Sequence, residues 1–251
     1  MSKPKAHIIT ATPTYTGDVC CDYANCLSLA GMHCILRNVW IEPRFAAGFS
    51  LVEYARNWLV AEFLQNKAAT HLFWIDSDLF FQPDAVYKMV ARGKDVIAGV
   101  YSTKHETSPV FPYTALGPVV DGLQEAERVP GGFLCMTRKA VEKVVSTCEW
   151  HEIDHNGEQR MSPRFFDLRL DGKHLVGEDY IASERLRKAG FKIYVETDIS
   201  FKHYGRKAWN ANLAKTLQKE KEQGFEGQGS DTAWEKNAKV AENPALLDKL
   251  Y

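Results

Sequence analysis

The most chemically suggestive feature of the chain is a pair of carboxylates, Asp76 and Asp78, separated by a single serine. They follow residues 71–75 (HLFWI), a short apolar and aromatic run that predicts a fully buried β-strand. In an open α/β sheet, ligands bind at the carboxyl ends of the strands. Two carboxylates there favour a hard divalent cation, Mg²⁺ or Mn²⁺, with phosphate oxygens in its shell. The alternative is that both acids cap the next helix or occupy a polar turn.

The composition is that of an ordinary globular protein. The chain has 251 residues, 45% of them hydrophobic and 25% charged, which suits one large α/β domain. A net charge of −1 argues against a nucleic-acid coat protein but leaves room for a local basic face. We find no signal-peptide pattern and no apolar run of membrane-spanning length, so we expect a cytoplasmic protein without a membrane stem. None of the six cysteines forms a C-x-x-C pair, so we expect reduced thiols.

Strand and helix patterns alternate in the first half, which predicts a parallel sheet with helices on both faces. Strands are expected at residues 6–12, 34–40, 71–75, 95–101, 133–136, 191–196 and 199–205. Helices are expected from about residue 18 to Gly31, from Ser50 to about Asn66, at 85–91, at 139–146 and at 181–188. The remaining long stretches, 41–49, 102–122 and 150–171, are expected to be loops or irregular segments, and the second could contain a short hairpin.

Other residues could take part in chemistry at the same edge. Tyr15 follows the first strand and could stack on a nucleotide base, while the Thr12 hydroxyl could bond to the edge of that base. Arg56 lies inside the second helix, where it is either solvated or paired with a diphosphate or with Asp76. Paired glycines at 131–132 suggest a close backbone approach. Acids at 178–179 open a helix, and the helix dipole favours them there.

The order of these parts resembles the GT-A glycosyltransferases, especially the inverting, family-2-like enzymes. The first strand ends in P-x-Y and the apolar strand in D-x-D; a G-G strand follows, then G-E-D at a helix start, then an extended segment that ends in His. The resemblance covers about residues 6–205. It implies an α/β fold of the GT-A type, a Rossmann-like mixed sheet flanked by helices.

The same resemblance implies a division of the chain. Residues 1–205 would form a single catalytic domain, with a nucleotide-sugar half at about 1–100 and an acceptor half at about 101–205. Residues 206–251 would form a polar, partly mobile tail.

Positions that match the family's motifs imply residue roles. The donor nucleotide-sugar would be bordered by Thr12, Pro13, Tyr15, Arg56, Asp76 and Ser77. Asp76 and Asp78 would hold Mn²⁺ or Mg²⁺ on the diphosphate, with His203 as the third ligand. Asp179 would be the catalytic base, with Glu178 as its neighbour.

On the acceptor side, the resemblance assigns Gly131, Gly132 and Phe133 to the lining, and Trp209 could cover the sugar. The chain departs from the family at one point. The acid that such enzymes often place near the end of the second strand to hold uracil has only Glu42 as a nearby candidate, so the donor base is left open.

The implied activity is metal-dependent, inverting transfer of a sugar from a nucleotide-sugar, a UDP-sugar by preference, to a hydroxyl, as in a hexosyltransferase. The acceptor is a small molecule, a saccharide, a protein or a hydroxymethylated DNA base as in phage enzymes; the basic residues after Lys202 suit the last. A nucleotidyltransferase is one alternative, although TPTYTGD lacks the glycine-rich basic loop that it would need. A non-catalytic module that binds a nucleotide or a sugar is the other.

Overall fold

The computed structural model describes residues 4–104, 109–205 and 208–222. The helices in these ranges are Cys21–Ile35 (α1), Val52–Gln65 (α2), Ala85–Ala91 (α3), Arg138–Val145 (α4), Glu178–Lys188 (α5) and Leu213–Glu222 (α6). The strands are Ala6–Thr14 (β1), Val39–Ala47 (β2), His71–Ile75 (β3), Leu79–Phe81 (β4), Val96–Gly99 (β5), Thr114–Ala115 (β6), Leu123–Arg128 (β7), Phe133–Thr137 (β8), Trp150–His155 (β9), Glu158–Pro163 (β10), Arg169–Asp171 (β11), His174–Val176 (β12), Ile193–Glu196 (β13), Ser200–Tyr204 (β14) and Ala208–Asn212 (β15).

Eight strands form one mixed sheet in the order β2-β1-β3-β8-β5-β13-β7-β6. β1 pairs in parallel with β2 and β3, and β5 pairs in parallel with β13. β8 lies antiparallel between β3 and β5, and β7 is antiparallel to β13. The predicted Rossmann-like α/β fold, a mixed sheet flanked by helices, is confirmed.

β3 is buried on both of its faces, as its apolar run predicts. Leu72 and Trp74 pack in one core cluster with α2, α4 and α5. Phe73 and Ile75 pack in the other cluster with α1 and α3. Burial of such a side chain stabilises the fold by roughly 1.5–3 kcal/mol, so this strand anchors the carboxylates that follow it.

The predicted second strand was wrong, because α1 does not stop at Gly31. The helix continues to Ile35, since Cys34 is buried one turn after Ala30. The chain reverses at Asn38, which has φ 59. β2 therefore begins at the last two residues of the predicted strand, Val39 and Trp40, and continues into residues that were predicted to be a loop. Pro43 is tolerated in it because β2 is an edge strand.

Two other expectations change. Ser50 does not cap α2, whose N-cap is Leu51 without a side-chain hydrogen bond. The stretch predicted to be irregular from residue 150 instead forms two hairpins, β9–β10 and β11–β12. The first turns at Asn156–Gly157, both with positive φ, a hairpin signal that the sequence carried.

A small sheet, β15-β14-β4, extends the domain beyond residue 205. β14 pairs with β4 directly after the two carboxylates, so His203 lies opposite Leu79. α6 follows β15, and its first residue, Leu213, is buried in the main core. Part of the predicted tail is therefore folded onto the domain.

All six cysteines are free thiols, as expected. Within the described ranges, we find no helix long and apolar enough to cross a membrane.

Candidate active site

A cleft of about 430 Å³ opens at the carboxyl edge of β1 and β3. Its lining comes from the ends of these strands, the start of α2 and the start of α5: Pro13, Thr14, Tyr15, Phe49, Ser50, Val52, Ala55, Arg56, Asp76, Ser77, Asp78 and Glu178. This is the position at which open α/β sheets bind ligands. Five of the predicted donor-site residues, Pro13, Tyr15, Arg56, Asp76 and Ser77, line this one cleft.

The paired glycines make room for the first carboxylate. Asp76 N–H donates to the Gly132 carbonyl at 2.8 Å, which continues the β3–β8 ladder by one residue. A Cβ on Gly132 would lie 2.0 Å from both Asp76 Oδ2 and the Tyr101 hydroxyl. Only glycine fits there while the Asp76 carboxylate stays in place.

Asp76 is held by two side chains. Arg56 Nη2 donates to its Oδ1 at 3.0 Å, and the Tyr101 hydroxyl donates to its Oδ2 at 3.0 Å. Burial, together with the nearby Asp76 carboxylate, raises the pKa of Tyr101 well above its ordinary value, so the phenol remains a donor. Both oxygens of Asp76 are thus engaged.

Arg56 is enclosed, with only 4% of its side chain exposed. Its guanidinium lies over the rings of Trp74 and Phe166, donates to the Gly131 carbonyl, and has its Nε 3.5 Å from Glu178 Oε1. Burial alone would lower the pKa of Arg56, but the carboxylates of Asp76 and Glu178 raise it above its ordinary value. The arginine is therefore a fixed positive charge at the base of the cleft.

The β9–β10 hairpin packs against α2, the helix that carries Arg56. Arg160 of this hairpin stacks on Trp58 of α2, with its Cζ 3.9 Å from the ring centroid. Asn57 makes two hydrogen bonds with the backbone of Phe166, which fixes the ring beside Arg56. Of the two possibilities that the sequence left open for Arg56, a solvated side chain is therefore excluded, and pairing with Asp76 is observed.

Asp78 has a different environment. Lys104 Nζ donates to its Oδ2 at 2.6 Å, and His203 Nε2 lies 3.5 Å from the same oxygen. Burial would raise the pKa of Asp78, but His203 and Lys104 outweigh it and hold the pKa below the ordinary value. His203 Nδ1 donates to the Ser102 carbonyl at 2.9 Å, which leaves Nε2 directed to Asp78.

Asp179 lies next to the glycines, with its Cβ 3.3 Å from the position that a Cβ on Gly131 would occupy. Its Oδ1 accepts a hydrogen bond from the Tyr180 N–H at 2.8 Å. Burial and the neighbouring charge of Glu178 raise the pKa of Asp179 to about 6, against smaller opposing effects of Arg56 and two backbone hydrogen bonds. A carboxylate with this pKa is a stronger base than an ordinary one.

The fit of a divalent cation differs between the predicted ligands. Among the described residues, no group of three or more His, Cys, Asp and Glu side chains meets in a metal-binding arrangement. Asp78 and His203 suit a cation, because metal-binding histidines commonly donate their other N–H to a backbone carbonyl, as His203 does. Asp76 is less available, since each of its oxygens already accepts a hydrogen bond from the protein, and its role as a ligand stays a prediction.

Two predicted site residues lie below the surface. Thr12 is fully buried and bonded to the Tyr23 hydroxyl, so its side chain does not reach a nucleotide. Phe133 is fully buried against the rings of Phe73 and Phe201, which argues against direct contact with an acceptor.

Tyr15, in contrast, is 76% exposed at the mouth of the cleft. The backbone of Trp209 lies in β15, but its side chain is outside the described part of the structure, as are Arg206 and Lys207.

Sequence reasoning missed Tyr101, Lys104 and Phe49. Tyr101 ends the predicted strand at 95–101, and this position could have indicated it. Lys104 carried no local signal. Glu42, the candidate for a uracil contact, lies in the middle of β2 and bonds to His7 and Asn66, and it does not line the cleft.

No protein-family model and no curated protein matches the sequence. Among solved structures, A197 from STIV is similar over 83% of this chain and 91% of its own, with a TM-score of 0.51 and 17% identity. A glycosyltransferase involved in the glycosylation of the major capsid of PBCV-1 matches 54% of this chain and 62% of its own, with a TM-score of 0.31 and 11% identity. Apo-UDP-glucose pyrophosphorylase matches 82% and 76%, with a TM-score of 0.38 and 11% identity. The likeness to A197 shows a shared fold alone, and the two weaker likenesses add nothing to it.

Proposed function

We propose that the protein is a divalent-cation-dependent glycosyltransferase that moves a sugar from a nucleotide-sugar, a UDP-sugar by preference, to a hydroxyl with inversion. The observation that carries the proposal is the joint lining of one cleft by Asp76, Asp78, Arg56 and Glu178 at the carboxyl edge of the sheet. Asp179, with its raised pKa, lies next to this group.

The donor diphosphate would lie between Tyr15 and the two carboxylates. Asp78 and His203 would hold Mn²⁺ or Mg²⁺, which neutralises the charge that develops on the leaving diphosphate. Asp76 takes no direct part in ligation in this arrangement, and with Arg56 it shapes the base of the cleft. Tyr15 offers an exposed ring for the base.

Asp179 would act as the base that activates the acceptor hydroxyl. A hydroxyl is a weak nucleophile, so its proton must pass to a group within hydrogen-bond reach as the new bond forms. With a pKa of about 6, Asp179 is ionised at neutral pH and still basic enough to accept a proton. Glu178 suits the task less well, because its carboxylate pairs with Arg56.

A screen of nucleotide-sugars tests the proposal. We expect the purified protein with Mn²⁺ or Mg²⁺ to release a nucleoside diphosphate from one of them, and EDTA or Asp78→Ala to stop the release. Acceptors should then be screened as small alcohols, saccharides, proteins and DNA that contains hydroxymethylated bases, and the anomer of the product read by NMR.

Three results would count against the proposal. A retained anomer would exclude inversion, and formation of a nucleoside triphosphate from pyrophosphate would indicate a nucleotidyltransferase. Binding of nucleotide-sugars without turnover under any condition would indicate a non-catalytic module.

A further inference from the structure

The two aspartates of the cleft, Asp76 and Asp78, are each paired with a cationic side chain, but Arg56 and Lys104 differ in their freedom to move. Arg56 is 4% exposed and enclosed by Trp74 and Phe166. Lys104 is 36% exposed and carries a flexible four-carbon stem. Its Nζ lies 2.6 Å from Asp78 Oδ2, on the side of the cleft where His203 also meets Asp78.

We propose that Lys104 is a catalytic residue that moves from Asp78 to the donor diphosphate and stabilises it as the leaving group. The proposal rests on the proposed function, because it assigns a further residue to the same reaction. In the donor-free state, the Lys104 ammonium serves as the counter-ion of Asp78.

The first step of the argument is electrostatic. A divalent cation on Asp78 and His203 would place a second positive centre beside the oxygen that Lys104 now contacts. The cation and the Lys104 ammonium would both lie within a few ångströms of Asp78 Oδ2, and like charges that close repel strongly in a partly buried site. Lys104 would therefore leave Asp78, whereas the enclosed Arg56 would remain with Asp76.

The second step concerns the new partner of Lys104. A diphosphate in the cleft brings negative charge next to Asp78, which lines that cleft. An ammonium that is already partly desolvated loses little on exchanging a carboxylate for a phosphate oxygen, and both partners give charge-assisted hydrogen bonds.

The reaction balances with Lys104 in this position. The bond between the sugar's anomeric carbon and the diphosphate oxygen breaks, and its electron pair stays on the diphosphate. The acceptor oxygen forms the new bond to the anomeric carbon, and its proton passes to Asp179. Lys104 keeps its proton and neutralises the leaving group through a hydrogen bond.

The segment that follows β5, residues 102–104, contributes to the environment of Asp78 in two ways. Ser102 is buried, and its carbonyl fixes the His203 ring through Nδ1. Lys104, two residues later, supplies the ammonium. Residues 102–104 thus orient His203 toward Asp78 and also provide the counter-ion of Asp78. A change at Lys104 need not disturb the core.

The test compares Lys104→Met with the wild type and with Lys139→Met. Lys139 is a matched control, because its Nζ also pairs with an aspartate, Asp95, at 2.9 Å, and it lies on α4. Binding of Mn²⁺ alone is followed by electron paramagnetic resonance. Binding of UDP, of inorganic pyrophosphate and of uridine is followed by calorimetry with saturating Mg²⁺.

We expect opposite changes in Lys104→Met. The affinity for Mn²⁺ alone should rise severalfold, because Asp78 has lost its competing cation. The affinities for UDP and pyrophosphate should fall about 10- to 100-fold, as expected for a lost charged hydrogen bond. Uridine binding should not change, Lys104→Arg should recover part of the lost affinity, and Lys139→Met should behave as the wild type.

Unchanged UDP and pyrophosphate affinities in Lys104→Met would overturn the proposal, as would a wild type that binds no pyrophosphate. Failure of the parent function looks different. A wild type that transfers no sugar but shows the opposite changes would retain Lys104 as a diphosphate ligand while the glycosyltransferase assignment falls. Normal transfer with unchanged affinities in Lys104→Met would rule out the role of Lys104, while the glycosyltransferase assignment would stand.

Discussion

The two aspartates of the cleft, Asp76 and Asp78, have partners of opposite character: those of Asp76 are enclosed, whereas the lysine at Asp78 is half-exposed. We call Asp76, Arg56, Glu178 and Asp179 the arginine side, and Asp78, Lys104 and His203 the lysine side. On the arginine side, the Asp76 side chain is 25% exposed and both of its oxygens are bound by enclosed groups. On the lysine side, Asp78 is 36% exposed and pairs with a lysine that is equally exposed.

This difference separates a structural carboxylate from an exchangeable one. Removal of one partner of a buried ion pair leaves the other partner uncompensated, which is strongly destabilising. The half-exposed Asp78–Lys104 pair is closer to a surface ion pair, which contributes little to stability, so its members can exchange partners at low cost. A D-x-D motif thus contains one position that shapes the site and one that is suited to binding and releasing a ligand.

Alanine at the two positions should give the largest contrast. Asp78→Ala should lose nearly all transfer while its free energy of unfolding stays within about 1 kcal/mol of the wild type. Asp76→Ala should lower that free energy by about 3 kcal/mol, because Arg56 stays buried without its closest carboxylate. Urea denaturation and a transfer assay measure both effects.

Calorimetric titration of UDP with and without Mn²⁺ tests whether Asp78 is the carboxylate that couples the cation to nucleotide binding. Mn²⁺ should strengthen UDP binding to the wild type and have little effect on binding to Asp78→Ala. Equal destabilisation by the two substitutions, or equal UDP affinity with and without Mn²⁺ in the wild type, would remove the contrast.

Asp179→Asn should come next in size, with kcat reduced by roughly 10² or more because the amide cannot accept a proton. The same substitution should raise the Tm near pH 7.5. The folded-state pKa of Asp179, about 6, lies above its ordinary 3.8, so its stabilising effect is complete at low pH and lost as pH rises through 6. Near pH 4, the Tm difference should shrink. Near-normal turnover in Asp179→Asn would point to Glu178 as the base.

Gly132→Ala should have a smaller effect, which also arises on the arginine side. The new Cβ would lie 2.0 Å from the Asp76 carboxylate and the Tyr101 hydroxyl, and overpacking of this kind costs about 1–3 kcal/mol. Gly31→Ala is the control, because a Cβ there meets nothing within 4 Å and lies inside α1. Thermal unfolding should show a loss for the first variant and a gain of up to about 1 kcal/mol for the second. Equal behaviour would contradict the close contact at Gly132.

The pH dependence of kcat should give the smallest effect and sharpen the comparison within one protein. Asp179 has a pKa of about 6, whereas the pKa of Asp78 is held below its ordinary value. Between pH 7 and pH 5, Asp179 therefore becomes protonated while Asp78 remains ionised. The rate should fall about 10-fold over this interval. A flat profile down to pH 5 would exclude Asp179 as the base.

Much of the fold was predictable because its signals are local. The apolar run at residues 71–75 and the helical pattern from Ala85 correspond to β3 and α3, and the helix expected at 139–146 corresponds to α4. The predicted end of α1 and the predicted second strand were wrong because a glycine was read as a helix end and residues 41–49 as a loop. Gly31 is tolerated within α1, and Pro43 is tolerated because β2 lies at the edge of the sheet.

The sequence by itself determined which residue types meet at the edge of the sheet, because a buried strand that ends in acids must present them there. Only the tertiary structure decided their partners. Asp76 meets Tyr101 and Arg56, which are 25 and 20 residues away in the chain, and Asp78 meets Lys104, 26 residues away. His203 reaches Asp78 because β14 pairs with β4. Such pairs depend on sheet register and on the packing of α2 against the sheet, so no short-range pattern encodes which carboxylate is fixed and which is free to exchange.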